Sequence, residues 1–229
     1  MFMQNLQKIE PGWRPGIASI RERAEPGFGF PLSVEQANAA VAYSHDVEVY
    51  GEGEPSEYFY MVVSGAVRIY KVLVDGRRQV CAFHLRGDIF GVEADESHAF
   101  SAETITDCKI VLIKRSAVIA RAEWDKEVAR QLQTIVGCEL KRVQAHVLLL
   151  IKTAKERVAE FLLEMARRVP PNQEVELPMS RQDIADYLGL TIETVSRTLT
   201  GLEKRDAIYL PNSRRVVLRD RGVLEMCGG

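Results

Sequence analysis

The chain has 229 residues, enough for one or two domains, and its 46% hydrophobic content can fill ordinary cores, which excludes a disordered chain. It contains neither a run of about eighteen apolar residues nor a charged-then-apolar leader, which argues against a membrane span or a secretory signal and for a cytoplasmic protein. The net charge of -2 is unevenly divided: residues 1–140 hold 15 basic against 20 acidic side chains, and residues 141–229 hold 15 against 12.

From the N-terminus, residues 11–31 contain Pro11, Gly12, Pro15, Gly16, Pro26, Gly27, Gly29 and Pro31. That density discourages regular structure, and 1–30 reads as an N-terminal arm. Between Ser44 and Arg115 come short apolar and β-branched runs, VEVY, FYMVVSG, VRIYKVLV, VCAFHL and KIVLI, broken by turn residues. They predict an antiparallel β-roll of the jelly-roll kind over 31–116, with Asp75-Gly76 marking a hairpin.

Proline and punctuation then almost vanish, which predicts one long helix from near Ala117 to Leu150, assigned to 117–151. Along it Leu132, Val136, Leu140, Val143, Val147 and Leu150 recur at steps of three and four, forming one narrow apolar seam. Such a stripe suits a two-helix interface, although a lone amphipathic helix more often packs on its own domain.

The remaining segment, 152–229, opens with a helix expected over Thr153–Arg168, a turn at Pro170, Pro171 and Asn172, and the strand-like EVEL. Within Met179–Arg205, Ile184, Ala185 and Leu188 give a first helix one apolar face, and Gly189 supplies a left-handed exit. Thr191 can cap a second helix, on which Val195, Leu199 and Leu202 face the first. Glu193, Ser196 and Arg197 then project together from the early turns of the second helix. This helix-turn-helix presents a guanidinium able to donate to guanine O6 and N7 and a carboxylate able to accept from cytosine N4.

Past the second helix, AIYLPNSRRVVLRD alternates around Pro211-Asn212-Ser213 and predicts a hairpin wing, with Arg214 and Arg215 placed for phosphate. From Arg197 to Arg221 there are seven basic and three acidic residues, so the phosphate-facing charge is local. Ser180 is the expected cap of the first helix, where hydroxyl and free amides can hold a phosphate or serve as a cap alone. Thr191 and Thr194 complete the predicted backbone contacts. The fold class is therefore α+β: β-roll, long helix, winged helix-turn-helix, the long helix being the dimerisation helix if the resemblance given next holds.

The string GLTIETVSR, Gly189 to Arg197, matches an ExxSR recognition pattern, with Glu193, Ser196 and Arg197 at its defining positions. On these residues the chain resembles the CRP/FNR family of bacterial transcription regulators, and within it the FixK type. The resemblance runs from about Phe30 to the C-terminus. It implies double-stranded DNA as partner, read by a homodimer on an inverted repeat of TTGA-like half-sites, and RNA polymerase contacted from exposed loops of the roll. DGRRQ, Asp75 to Gln79, is one such loop, although a solvated hairpin tip reads the same way. It implies activation of transcription in a low-oxygen or nitrogen-fixation response.

Departures from family patterns bear on control. Iron-sulfur relatives use three cysteines near the N-terminus and one in the roll, of which only Cys108 has a counterpart here. Cys81, Cys108, Cys138 and Cys227 have no cluster spacing, and Cys227 reads as an exposed tail thiol. Cyclic-nucleotide-binding relatives carry a glutamate and an arginine where this chain has Val92 and Phe100, beside Gly91 and Ser101. A shifted register could restore one partner through Glu93 or Arg86. Haem-binding relatives use cysteine and histidine where Gly91 and Glu93 stand.

His45, His84, His98 and His146 form no metal spacing. Oxygen-gated relatives place an acidic residue in the dimer seam where Val143 stands, which removes like-charge repulsion across the axis. With serine at position 180, a thiol-based switch at that helix start has no chemistry. No cofactor, metal or catalytic residue is expected. The competing readings are a cyclic-nucleotide-gated regulator of the same family and a metal-dependent jelly-roll enzyme.

Overall fold

The computed structural model describes residues 40–168 and 174–228, so the arm over 1–30, the first residues of the roll, 31–39, and the Pro170, Pro171, Asn172 turn lie outside the described residues. The described chain divides into two compact units. One comprises the residues up to Lys71 with Phe83–Leu140, the other Val72–Ala82 with Lys141 onward.

The strands β1 (Val41–Tyr43), β2 (Glu48–Tyr50), β3 (Tyr58–Ser64), β4 (Ala66–Val72), β5 (Arg78–Leu85), β6 (Ile89–Phe90), β7 (Ser101–Thr104) and β8 (Cys108–Lys114) come first. They form two four-stranded sheets, in the orders β1-β8-β3-β6 and β2-β7-β4-β5. The β1/β8, β3/β6, β3/β8, β2/β7 and β4/β7 pairings are all antiparallel, as the short alternating runs predict.

β3 is buried on both faces. Tyr60 packs with Tyr50 and Phe90, at ring separations of 5.1 Å to each, while Phe59 joins Val111, Ile113, Val118 and Val128 in a second cluster. The β3–β4 turn needs glycine, because Gly65 has φ of +88° and a Cβ there would come within 2.4 Å of the Asp107 carbonyl. Burial pushes the Cys108 thiol up, which keeps it a protonated, apolar-like side chain.

The single helix predicted from Ala117 to Leu150 is two: α1 (Arg115–Ala122) and α2 (Lys126–Leu150). Asp125 causes the break. Its carboxylate accepts from the amides of Glu127 (3.1 Å) and Val128 (3.3 Å), and its carbonyl from Ala129 (3.0 Å), so it caps a new helix and interrupts the old one. α1 and the first turns of α2 cover the outer face of the β8-β3-β6 sheet, with Leu132 and Ile135 packed there. Leu132, counted with the seam on spacing, thus serves the core of its own unit.

In the second unit α3 (Ala154–Arg167) starts at a capping box between Thr153 and Glu156. After it come β9 (Val175–Glu176), α4 (Arg181–Leu188), α5 (Ile192–Glu203), β10 (Ile208–Asn212), β11 (Arg215–Leu218) and α6 (Arg221–Gly228). The three strands form one sheet in the order β10-β11-β9. Phe161 and Leu162 of α3, Ile184 and Leu188 of α4, Leu202 of α5, Ile208 and Leu224 are all fully buried. α6 has no counterpart among the predicted elements. Asp220 starts it by accepting from the Val223 amide at 3.0 Å, and Leu224 anchors it. Cys227 is consequently a half-buried helical residue rather than an exposed tail thiol. No described helix is long and apolar enough to cross a membrane.

Candidate nucleic-acid interface

α4 and α5 are the two helices of the predicted helix-turn-helix, and their ends explain the turn. Gly189 ends α4 at φ +60°, ψ +41°, and its amide donates to the Ala185 carbonyl. Thr191 then caps α5, its hydroxyl accepting from the Thr194 amide at 3.2 Å and lying 3.1 Å from the Thr194 hydroxyl. Val195, Leu199 and Leu202 are buried on the inner face. Glu193, Ser196 and Arg197 are exposed on the outer one, as their spacing requires.

The Glu193 carboxyl is held below its ordinary range by its own amide first, then by the Thr191 hydroxyl and the Arg197 charge. It is therefore a carboxylate at neutral pH, an acceptor only. Arg197 makes no hydrogen bond or ion pair among the described residues, so its five donors are available to a partner.

β10 and β11 form the wing, with Ser213 and Arg214 at its tip. Arg214 and Arg215 are both exposed. The Arg214 amide bonds Asn212 Oδ1 at 2.8 Å, which shapes the turn and leaves the guanidinium outside it. Arg215 lies 3.6 Å from Glu174, a pair half-exposed on both sides and therefore weak.

Ser180 caps α4. Its hydroxyl donates to Asp183 Oδ2 (2.6 Å), its amide donates to the same oxygen (3.0 Å), and its hydroxyl oxygen accepts from the Asp183 amide (3.0 Å). Both Ser180 donors are thus spent on a carboxylate, which leaves none for the phosphate contact predicted on sequence.

The other oxygen of Asp183, a residue only 3% exposed, accepts from Arg78 Nη2 at 2.6 Å, and Arg78 Nε donates to Asp186 Oδ2 at 2.8 Å. Gln79 Nε2 bonds the Asp186 carbonyl at 2.7 Å. Two residues of DGRRQ are therefore tied to α4 instead of standing at a free hairpin tip. Arg78, Gln79 and Asp183 have no sequence signal for this role, because more than a hundred residues separate the partners.

α2 carries the remaining predicted positions. Val136, Leu140, Val143 and Val147 are 48%, 56%, 54% and 59% exposed, an uncovered apolar row, while Leu150 is half-buried. Leu148 and Ile151 lie open beside them.

A model of the Crp-like helix-turn-helix domain matches residues 156–227, and a model of the cyclic nucleotide-binding domain matches residues 40–123. The chain is 53% identical over 188 residues to the nitrogen fixation regulation protein FixK of Azorhizobium caulinodans, a match covering 80% of this chain and 76% of the relative. It is 39% identical over 199 residues to the protein of the same name from Rhizobium meliloti, covering 86% and 91%. The solved structure of FixK2 from Bradyrhizobium japonicum superposes with a TM-score of 0.81 at 50% identity, over 84% of this chain and 98% of that one.

Proposed function

Because this chain belongs to the CRP/FNR family of transcription regulators, and within it to the FixK type, we propose that it is a cytoplasmic, non-enzymatic activator that binds a TTGA-like inverted repeat as a homodimer and recruits RNA polymerase. By kinship with FixK proteins its genes are those of a low-oxygen or nitrogen-fixation response. The carrying observation is the outer face of α5, where Glu193, Ser196 and Arg197 stand exposed on the turns that enter a major groove.

Arg197 reads guanine and Glu193 the cytosine of a neighbouring pair, with Ser196 between them. Thr191, Thr194, Arg214 and Arg215 supply phosphate contacts, and Ser180 acts through Asp183. The uncovered row Val136, Leu140, Val143 and Val147 supports α2 as the dimer axis. In this reading the arm, roll, dimerisation helix and winged helix-turn-helix occupy 1–30, 31–116, 117–151 and 152–229, with the helical break at Asp125 inside the third.

The match to a cyclic nucleotide-binding domain favours one further reading, control by a cyclic nucleotide. Two contacts weigh against it. Glu93 Oε1 lies 3.4 Å from His98 Nδ1, and Ser101 Oγ accepts from the Glu52 amide at 3.0 Å. Binding of an inverted-repeat duplex, followed by fluorescence anisotropy in air with no ligand added, tests the proposal. The expected result is tight, salt-sensitive binding that cyclic AMP and cyclic GMP leave unchanged. Binding that requires either nucleotide refutes ligand independence, and failure to distinguish the repeat from scrambled DNA refutes the function.

A further inference from the structure

The C-terminal end of α4, immediately before the Gly189 turn, is held by side chains from three other segments. A helix ends with four carbonyls that lack intrahelical partners, and the helix dipole makes that end negative. Here the Ala185 carbonyl accepts from the Leu190 amide at 3.0 Å. The Asp186 carbonyl takes Gln79 Nε2 at 2.7 Å, and the Leu188 carbonyl takes Arg157 Nη1 at 2.8 Å. The Tyr187 carbonyl faces His146 Nε2 at 2.8 Å.

His146 reaches in from α2 with its other ring nitrogen, Nδ1, 3.0 Å from the Cys81 carbonyl, and its ring stacks on Tyr187 at 4.2 Å. A carbonyl oxygen only accepts. A neutral imidazole carries one N–H, so either tautomer would point a lone pair at one of these two oxygens. Only the imidazolium donates to both.

We propose that His146 is a positioning residue for DNA recognition that acts in its protonated form. It ties α2, the β5 segment and the end of α4 together, and so makes operator binding proton-linked. The inference rests on the proposed DNA-binding function. With the proton bound both hydrogen bonds are made and a positive charge lies against the negative end of α4. With the proton lost, one bond becomes a lone-pair repulsion and the charge disappears. The clasp is therefore strongest while the ring holds its second proton and weakens when that proton is lost. The end of α4 leads directly into Gly189 and α5, so loosening it releases the helix that carries Glu193, Ser196 and Arg197.

The surrounding charges are accounted for on each packed element. Arg142 lies one turn earlier on α2, and the Cys81 thiol and Arg78 are on β5. Tyr187, Asp183 and Asp186 come from α4, the two carboxylates already bound by Arg78. Arg157 and Glu164 come from α3, and Arg168 is its C-cap. Burial pushes the Tyr187 hydroxyl up, so it stays neutral throughout the range in question.

The test compares wild type with His146→Gln, which is neutral at every pH, in anisotropy titrations of the inverted repeat from pH 6.0 to 8.5 at fixed ionic strength. The wild-type affinity is expected to fall about tenfold more than that of the variant, the size of one lost charge-assisted hydrogen bond. His45, His84 and His98 remain in both proteins, so the difference isolates His146. Equal slopes overturn the proposal.

A second readout needs neither DNA nor a variant: nitrogen-15 spectra of histidine-labelled wild type at pH 6.0, with His146 identified by its contact to Tyr187. Two protonated ring nitrogens support the clasp, and a single one refutes it. If wild type binds no repeat at any pH, the proposed function fails, and the ring spectrum alone decides whether the clasp exists.

Discussion

Replacing Val143 by glutamate tests the dimer axis at its centre. Val143 is 54% exposed and lies between Leu140 and Val147, which are 56% and 59% exposed. Fully burying a valine stabilises by about 1.5 to 3 kcal/mol, and roughly half of this side chain remains to be covered, so each copy contributes about 1 kcal/mol and the pair about 2. Glutamate removes that contribution and brings two carboxylates toward each other at the axis, where two unit charges about 8 Å apart repel by about 2 kcal/mol at an effective dielectric of about 20.

A combined loss of about 4 kcal/mol raises the dimer dissociation constant roughly a thousandfold. Part of the penalty is escaped by protonation. A carboxyl that is desolvated beside its twin has its pKa raised in the dimer relative to the monomer, so association of the variant strengthens as pH falls. Sedimentation equilibrium at pH 7.5 and pH 5.5 reads both effects. Gln144→Glu, an exposed neighbour off the row, is the control and is expected to change neither. A Val143→Glu protein that dissociates like wild type at pH 7.5 would show that α2 is not the axis.

Three further substitutions address recognition and its support. Arg197→Ala is expected to weaken operator binding by about 1 to 3 kcal/mol per half-site and to relax preference at one guanine; a base-substitution scan with unchanged preference refutes the assignment. Glu193→Ala should relax discrimination at the adjacent cytosine. Since its carboxyl is held below the ordinary range, that discrimination should persist in wild type from pH 7 down to pH 5 and be lost only under stronger acid, which the same scan at two pH values checks. Arg78→Ala removes from Asp183, 3% exposed, its charged partner at 2.6 Å while the two Ser180 donors remain. Urea unfolding should show a loss of about 2 to 3 kcal/mol, below the usual penalty for a broken buried pair because those donors remain and Arg78 is partly exposed. An unchanged midpoint would mean that the ion pair is not made in solution.

The features that were legible in the sequence are those whose cause lies within a few residues. Gly189 adopts the left-handed conformation that only a short list of residues tolerates, Thr191 caps the helix that follows it, and Val195, Leu199 and Leu202 are buried at the spacing that places them on one face. The same locality would have revealed the α1–α2 break, since an aspartate two residues before Glu127 is a cap signal, but the surrounding helix formers mask it. α6 is hidden in the sequence for a different reason. Its anchor is one residue, Leu224, and a helix of two turns with a single buried side chain has almost no periodicity to detect.

The residues that tertiary structure alone could reveal are Arg78, Gln79 and His146. They are a hairpin arginine, its neighbour and a lone histidine, residue types that are usually solvated. Nothing near them in the chain announces that they meet α4. Ser180 shows the converse case. Its position marks a helix start, but the identity of the third residue of that helix, Asp183, decides what the hydroxyl does. A carboxylate there takes both donors from the serine and turns a candidate phosphate ligand into a brace.

The stretch of α2 from Lys141 onward carries both an uncovered apolar face and a covered one. Val143 and Val147 lie on its uncovered face, while His146 and Leu149 lie on the covered one, where Leu149 is 5% exposed and His146 meets the Tyr187 carbonyl. Four residues of an α-helix span little more than one turn, so these faces cannot rotate independently of each other. If Val143 and Val147 meet their counterparts in a second copy, the helix is fixed relative to the two-fold axis, and the contact of His146 with the Tyr187 carbonyl references α4 to that axis. The orientation of α5 in each half-site is then set by the dimer and not by the local turn alone. Half-sites about one helical turn apart require that rigidity. A change confined to His146 is therefore expected to loosen the tolerance for half-site spacing before it alters which bases are preferred, whereas a change at Arg197 does the reverse.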